Sequence, residues 1–346
     1  MIKLAVDVMG GDFAPQEQIK GVNIALEKYN DIELSLYGDE KAINEGLDPK
    51  YRDRVHIFNF PQKVDMGEKN PIGEIRRNKD TSLVQAFNAV KEKTVDGVVT
   101  SGPTQCVVAA AHMVIRRMPG MKRCALCPQI PEIGGKSRLL LDCGANIELR
   151  AEHLVQLAEY ATIYVREIKG IPNPVVGLLN IGAEPGKGRE VDKVAYQLLK
   201  ADKNINFYGN IEPKEMLMSE CDILLSDGFT GNMCLKTLEG TAKAIGAFLK
   251  DDIKKSFSAK IGYLFMKKVF KHFKAVMNPD NVGGATLFGC DGVVFKAHGA
   301  SKAETFAVAI GTARTQVEKD IVNKMKKLIE ENPLTEETGE NNDWFQ

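Results

Sequence analysis

The chain has 346 residues, 44% hydrophobic and 27% charged, with 46 Lys+Arg against 46 Asp+Glu. That balance argues against a nucleic-acid protein and still allows a local basic patch. Seven scattered cysteines, no secretory apolar segment at the start and no apolar run of about 18 residues predict a reduced, cytoplasmic protein that does not span a membrane. The length suits one large or two smaller α/β domains whose core needs no disulfide.

The first 60 residues alternate: a strand at Ile2–Val8, a helix from Gln16 to about Tyr29, then strands at Ile32–Tyr37 and Val55–Phe60. Residues 61–80 form a polar, turn-rich excursion with Gly67, Pro71 and Gly73. Leu83, Val84, Phe87 and Val90 then recur at helical spacing. Strand–helix units continue to about Cys234. A long helical region runs from Gly231 to Met277, Gly283 and Gly284 break it, and a last strand and helix end near Ile329. Residues 331–346, acidic and polar, read as a disordered tail, which leaves 1–330 as one α/β domain.

Six times a short apolar strand runs into a polar loop that a helical pattern follows. The loops are Met9-Gly10-Gly11-Asp12, Thr100-Ser101-Gly102-Pro103-Thr104, Asp142-Cys143-Gly144-Ala145-Asn146, Asn180-Ile181-Gly182-Ala183-Glu184, Asp227-Gly228-Phe229-Thr230-Gly231-Asn232 and Ala297-His298-Gly299. Continuous apolar strands belong to a mostly parallel sheet covered on both faces. Ligands of such sheets bind at the strands' carboxyl ends. Glycines admit close approach of backbone amides, and helix starts add positive potential. Together the loops predict an anion-handling enzyme site.

Each loop has a plainer reading beside the chemical one. Asp7 to Pro15 lacks the G-x-G-x-x-G spacing of a dinucleotide fingerprint. Gly10 and Gly11 with Asp12 fit a tight turn beside a ligand or a simple capped turn. The stretch Gly182 to Gly188 is one residue short of a P-loop, and Gly188 stands where Ser or Thr would bind magnesium. Lys187 between Gly186 and Gly188, ahead of a helix, still makes a backbone nest with a point charge; the alternative is a solvated loop lysine. Asn232 suits donation to a developing oxyanion and Asp227 proton acceptance, or else the segment only caps a helix. Of five histidines, His298 at a strand's carboxyl end is the proton-transfer candidate, although a lone histidine is more often structural. Cys124-x-x-Cys127 lacks the second pair of a zinc site, and two strand cysteines are the simpler reading. No metal site and no cofactor are expected.

From Lys254 to Met277 there are seven lysines and no acid. At about 100° per residue, Met266, Val269, Phe270, Phe273, Val276 and Met277 share one face, and Lys267, Lys268, Lys271 and Lys274 the other. A core-facing helix can carry such a stripe. In a neutral chain a basic amphipathic helix reads instead as a membrane-surface element or a dock for an acidic partner. Phe270 and Phe273 are then expected to insert, with Lys267, Lys271 and Lys274 at the charged surface.

In their order, these motifs resemble the phosphate acyltransferase family of bacterial phospholipid synthesis over about residues 1–315. The resemblance is carried by Asp7-Val8-Met9-Gly10-Gly11-Asp12 with Pro15, by Leu141-Asp142-Cys143-Gly144-Ala145-Asn146, and by Gly177-Leu178-Leu179-Asn180-Ile181-Gly182 with Gly186-Lys187-Gly188. It is carried further by Asp227 to Asn232, and by Gly283-Gly284-Ala285 with Lys296-Ala297-His298-Gly299. It implies a Rossmann-like α/β/α sandwich with a mostly parallel sheet, akin to isopropylmalate dehydrogenase and phosphotransacetylase. It implies acyl transfer from acyl carrier protein to inorganic phosphate, a homodimer, and delivery of acyl phosphate to a membrane glycerol-phosphate acyltransferase. The enzyme would then sit peripherally on the inner face of the cell membrane. Acyl carrier proteins are acidic, so carrier and anionic bilayer both suit the basic segment.

For that reaction Lys187 and Asn232 are expected to hold phosphate and stabilise the oxyanion. Asp227 or His298 would manage protons, and Gly10, Gly11, Asp12, Thr104, Asn146, Asn180, Gly186 and Gly188 would line the phosphate site. One loop departs from the family pattern, which resembles Ser-Ala-Gly-Asn-Thr-Gly where this chain has Thr100-Ser101-Gly102-Pro103-Thr104-Gln105. Proline removes an amide and fixes φ, so this loop is expected to differ, with Pro103 at the first helical position. The alternatives are a coenzyme A-dependent phosphotransacylase, an oxidoreductase of the isopropylmalate dehydrogenase type, and an inactive membrane-surface scaffold of the same fold.

Overall fold

A computed structural model describes residues 1–132, 137–277 and 284–331, without the side chains of residues 272 and 274–277. Five parallel strands make one half of the sheet: β1 (Ile2–Asp7) flanked by β2 (Ile32–Gly38) and β4 (Gly97–Thr100), with β3 (Val55–Asn59) outside β2 and β11 (Val293–Lys296) beyond β4. Four more make the other half: β6 (Ser137–Leu141), β9 (Ile223–Leu225), β7 (Val175–Leu179) and β8 (Asn206–Ile211). Two strands join them, β10 (Ala285–Phe288) and β5 (Ala125–Pro131), antiparallel to each other and to β11 and β6. Among the described residues the order is β3-β2-β1-β4-β11-β10-β5-β6-β9-β7-β8. Three successive reversals make the second parallel set run opposite to the first.

Alternation along the strands sends apolar side chains to both faces. Leu4 and Val6 of β1 enter one core cluster and Ala5 the other. Leu139 and Leu141 of β6 face one way and Leu140 the other. Helices α1 (Gln16–Lys28) and α10 (Ala303–Glu318) cover one face of the first set; α4 (Ser82–Lys91) and α5 (Thr104–Ala110) cover its opposite face. α6 (Ala151–Lys169), α7 (Glu190–Ala201) and α11 (Ile321–Glu331) cover one face of the second set.

Expectations are revised in the 61–80 excursion, in the long helical region and at the end, where two strands, β10 and β11, and two helices, α10 and α11, stand in place of one of each. The excursion at 61–80 contains a helix, α3 (Pro71–Arg77), as does the segment after β2, α2 (Glu40–Gly46). Pro71 opens α3 behind an Asn70 cap whose side chain accepts from Gly73 N–H, so the turn residues are a helix start. The long helical region is two helices, α8 (Gly228–Lys255) and α9 (Phe257–Met277). Ser256 between them is extended, and its hydroxyl accepts from Ala259 N–H, starting a new helix. Of the expected break, Gly284 has φ +138° and Gly283 lies outside the described residues. The expected tail also lies outside them, except Glu331, which ends α11. No helix among the described residues is long and apolar enough to cross a membrane.

Candidate active site

Pairing register sets Asp7, Thr100 and Lys296 side by side at the carboxyl edge of the first set. Asp7 is buried and accepts from Ser82 Oγ (2.6 Å), Thr100 Oγ1 (2.7 Å) and Met9 N–H (3.2 Å). Burial raises its carboxyl above the usual range, and those donors oppose the rise. The chain then turns through Gly10 and Gly11. A Cβ at Gly10 would stand 2.6 Å from Asp7 Oδ2 and 2.8 Å from Gly102 N. Gly11 has φ +110°, and its Cβ would lie 2.8 Å from Gln18 Nε2. Close approach therefore demands both glycines. Asp12 N–H donates to Gly299 O (2.8 Å), tying the β1 loop to the β11 loop. His298 is exposed, and its Nδ1 accepts from Ala300 N–H at 3.2 Å. Burial pushes the Lys296 ammonium down to about 8; Lys236 adds to this, while Glu239 and Asp12 oppose it.

A second set of loops meets at the carboxyl edge of the other half. Asp142 is fully buried and accepts from the N–H groups of Leu126 (2.9 Å), Ala145 (3.1 Å) and Asn146 (2.7 Å) and from Asn146 Nδ2 (2.8 Å). Burial pushes its carboxyl up to about 6. Asn146 Nδ2 also donates to Cys124 O (2.6 Å), and the Asn146 carbonyl accepts from Gly228 N–H (2.8 Å). Asn146 thus fastens the start of α8 to β5. Asp227 caps α8 by accepting from Thr230 N–H (2.7 Å), and its other oxygen meets Arg189 Nη1 at 2.5 Å. Arg189 also grips Asp192, and the two acids hold its guanidinium in the charged form. Both oxygens of Asp227 are engaged in structure.

Asn180 is buried. Its Nδ2 donates to Lys187 O (3.1 Å) and its Oδ1 accepts from Ile181 N–H (2.8 Å), folding the loop back on itself. Gly188 has φ +90°, and a Cβ there would stand 2.5 Å from Asn180 Oδ1 and 2.8 Å from Asp192 Oδ2. Gly186 has no such neighbour. The Lys187 side chain is exposed, its stem passing over Gly182. Asn232, also exposed, lies beside Gly144 in the first turns of α8. A cavity of about 450 Å³ opens next to Arg189 and Asp227 and is lined further by Leu149, Arg150, Val191 and Val194.

α8 links the two edges. It begins at the second, and Asn232 and Lys236 lie one turn apart on one flank. Lys236 and Glu239 come close enough to Lys296 to bias its proton affinity. The expected residues thus form two clusters. Gly10, Gly11 and Asp12 share the loops at the first edge with His298 and Lys296. The loops that carry Asn146, Asn180, Gly186, Lys187, Gly188, Asp227 and Asn232 meet at the second, where Arg189 pairs with Asp227 and Asn232 lies by Gly144. Thr104 is the first residue of α5, after the Ser101–Pro103 turn. Pro103 is the N-cap, φ −60° and ψ 131°, one residue ahead of the expected position. Gln105 lies inside the helix, so neither departure requires positive φ. Cys127 and Cys143 flank Asp142; burial and that carboxylate raise both thiols well above the usual range, so neither is an activated nucleophile.

Asp7, Asp142 and Lys296 stand in the motifs quoted from the sequence but were given no role there, and Arg189 was not singled out. Asp7 and Asp142 carried a signal, an acid closing an otherwise apolar strand. Arg189 directly follows the Lys187 loop; its partner Asp192 is three residues on, and Asp227 reaches it only in the fold.

On the basic segment, Lys267 and Lys271 are exposed. The Phe270 ring lies 5.3 Å from Tyr263 and is half-buried, while Phe273 is exposed. Leu264, Phe265 and Val269 are more exposed than either. The Lys274 side chain lies outside the described residues. Lys255 pairs with Asp251 and Asp252, so part of the lysine excess is balanced from α8.

A family profile described as "Fatty acid synthesis protein" matches residues 2–324. A phosphate acyltransferase from Acholeplasma laidlawii (strain PG-8A) is 48% identical over 332 residues, covering 95% of this chain and 98% of that one. One from Staphylococcus aureus (strain MRSA252) is 42% identical over 331 residues, covering 96% and 99%. A phosphotransacetylase from Streptococcus pyogenes superposes with a TM-score of 0.57 at 19% identity, over 92% of this chain and 94% of that one. The last likeness is one of fold, a Rossmann-like α/β/α sandwich.

Proposed function

This chain belongs to the phosphate acyltransferase family, and we propose that it moves an acyl group from the thioester of acyl carrier protein to inorganic phosphate. The observation that carries this reading is the pair of polar edges linked by α8, with Lys296 on one and Lys187 and Asn232 on the other. A phosphate oxygen attacks the thioester carbonyl and the carbon–sulfur bond breaks. The products are acyl phosphate and the carrier thiol, which takes the proton of hydrogen phosphate. Phosphate is already an anionic nucleophile, so the enzyme must position it and stabilise the tetrahedral oxyanion. Lys187 and Asn232 serve the oxyanion. His298 relays the proton; with Nδ1 accepting from Ala300 N–H, its neutral ring carries hydrogen on Nε2. The high thiol pKa values beside Asp142 favour direct attack over an acyl-cysteine.

In this reading the acyl phosphate feeds phospholipid synthesis through a membrane glycerol-phosphate acyltransferase. The enzyme works as a cytoplasmic homodimer, peripherally bound at the inner face of the membrane. The exposed lysines and apolar side chains of α9 support contact with an acidic carrier or an anionic bilayer. The test is incubation of purified protein with phosphate and either acyl carrier protein or coenzyme A thioesters, trapping acyl phosphate as hydroxamate. We expect higher kcat/KM with the carrier-bound donor. Preference for coenzyme A would favour the phosphotransacylase alternative, and absence of hydroxamate with both donors would remove the enzymatic reading.

A further inference from the structure

Buried polar atoms in folded proteins nearly always have partners, and leaving one unpaired is costly. Four that lack a hydrogen bond belong to three residues in one part of this fold: Gln18 Nε2 and Oε1, Ser101 Oγ and Ser301 Oγ. All three residues are fully buried. Gln18 is in the first turn of α1, Ser101 follows β4, and Ser301 follows β11. β1, β4 and β11 are neighbours in the sheet, so their loops converge at one edge. Gly11 marks the meeting point. A Cβ there would lie 2.8 Å from Gln18 Nε2 and 3.1 Å from both Ser101 Cβ and Gly299 O. The positive φ of Gly11 keeps a side chain out of that spot.

Two hydroxyls and a primary amide offer several donors, and a hydroxyl can turn its hydrogen toward an anion. Lys296 adds a cation at the end of β11, with Asp12 close to it. Asp12 repels a fully ionised anion but accepts a hydrogen bond from one that retains a proton. We propose that Gln18, Ser101 and Ser301, together with Lys296, form the seat of inorganic phosphate. The proposal rests on the acyl-transfer reading for the identity of the anion. It divides the labour between the two edges: the nucleophile is held by the first half, and the carbonyl oxygen is met by Lys187 and Asn232 of the second.

The test uses the full chain without acyl donor, titrated with inorganic phosphate at constant ionic strength by calorimetry and thermal shift. The wild type should bind saturably and melt higher with phosphate. Ser101→Ala combined with Ser301→Ala should lower phosphate affinity about 10- to 100-fold, as loss of hydrogen bonds to a charged group does. Its melting temperature without phosphate should hold or rise, because the deleted hydroxyls had no protein partner. Thr162→Val deletes an unpartnered buried hydroxyl in α6 and should leave phosphate affinity unchanged. A double variant that binds phosphate like the wild type overturns the proposal, since the hydroxyls then serve only the interior. If the double variant does not fold, Lys296→Met decides: unchanged phosphate affinity overturns the proposal, and a loss of similar size supports it. In turnover, KM for phosphate should rise while KM for the acyl donor holds. Phosphate binding that is lost in the variants, alongside a wild type that forms no acyl phosphate, would keep the seat and refute the acyl-transfer reading.

Discussion

Lys187 is held by its backbone. Asn180 grips its carbonyl, and its N–H reaches Glu184 O at 3.1 Å, while the side chain stays exposed. Lys187→Ala should therefore leave the melting temperature within about a degree. Loss of a preorganised contact to the oxyanion costs about 3–4 kcal/mol, a hundredfold or more in kcat; near-normal turnover would reduce Lys187 to a surface lysine. Asn232→Ala should behave likewise, because Asp227 and not Asn232 caps α8. A fall in melting temperature with specific activity retained would reverse that assignment. Lys296 gives a pH signature. Its folded pKa, near 8, lies below the ordinary 10.5, so the unfolded chain binds more protons between those values. Stability from this group is smallest below pH 8 and rises toward pH 10.5. The groups biasing it are Lys236 and Glu239 of α8 and Asp12 of the β1 loop. Lys296→Met should flatten that rise in chemical denaturation between pH 8 and 10.5, and an unchanged slope would mean the ammonium is not desolvated.

At the scale of elements, the loop from Gly182 to Gly188 works as a shaped piece. An alanine at Gly188 meets Asn180 and Asp192 at a φ of +90°, whereas one at Gly186 meets nothing. Gly188→Ala should cost about 1–3 kcal/mol of stability and misplace Lys187; Gly186→Ala should leave stability as it is. Calorimetric melting of both checks the contrast. The same loop was legible from its glycines and lysine alone. Most strands were legible too, because Leu4 to Val6 or Leu139 to Leu141 are apolar on both faces. The antiparallel direction of β5 and β10 was not, since pairing direction is set by where the chain returns and not by local composition. α3 was hidden because Pro71 and Gly73 read as turn residues until Asn70 is seen capping them. Lys296 acquired its electrostatics from residues distant in sequence, and Arg189 its pairing with Asp227, which no spacing announces; the bond of Arg189 to Asp192 is local, three residues on.

For the whole molecule, a net charge of zero conceals segregation. α8 buries only Gly228 and Gly231, and the described side chains of α9 are exposed or partly exposed, so the two helices carry apolar surface away from the body. Phe265 is 86% exposed and Leu264 69%, on a helix with Lys267 and Lys271 nearby. That combination predicts co-sedimentation with anionic vesicles, weakening as salt screens the lysines. The residues to change follow from exposure. Leu264→Glu with Phe265→Glu should abolish vesicle binding, leave melting unchanged and spare acyl-phosphate synthesis in solution. Phe270→Glu should instead lower the melting temperature, because the Phe270 ring packs against Tyr263. A folded double variant that still sediments with vesicles would sink the membrane reading. Dissociation of a dimer in the same variant, seen by sedimentation velocity, would assign the apolar surface to a second copy. Changing Lys267 and Lys271 to Glu tests the remaining partner: weaker binding of acyl carrier protein with vesicle binding retained would make the lysines a carrier dock and the apolar face alone the membrane contact.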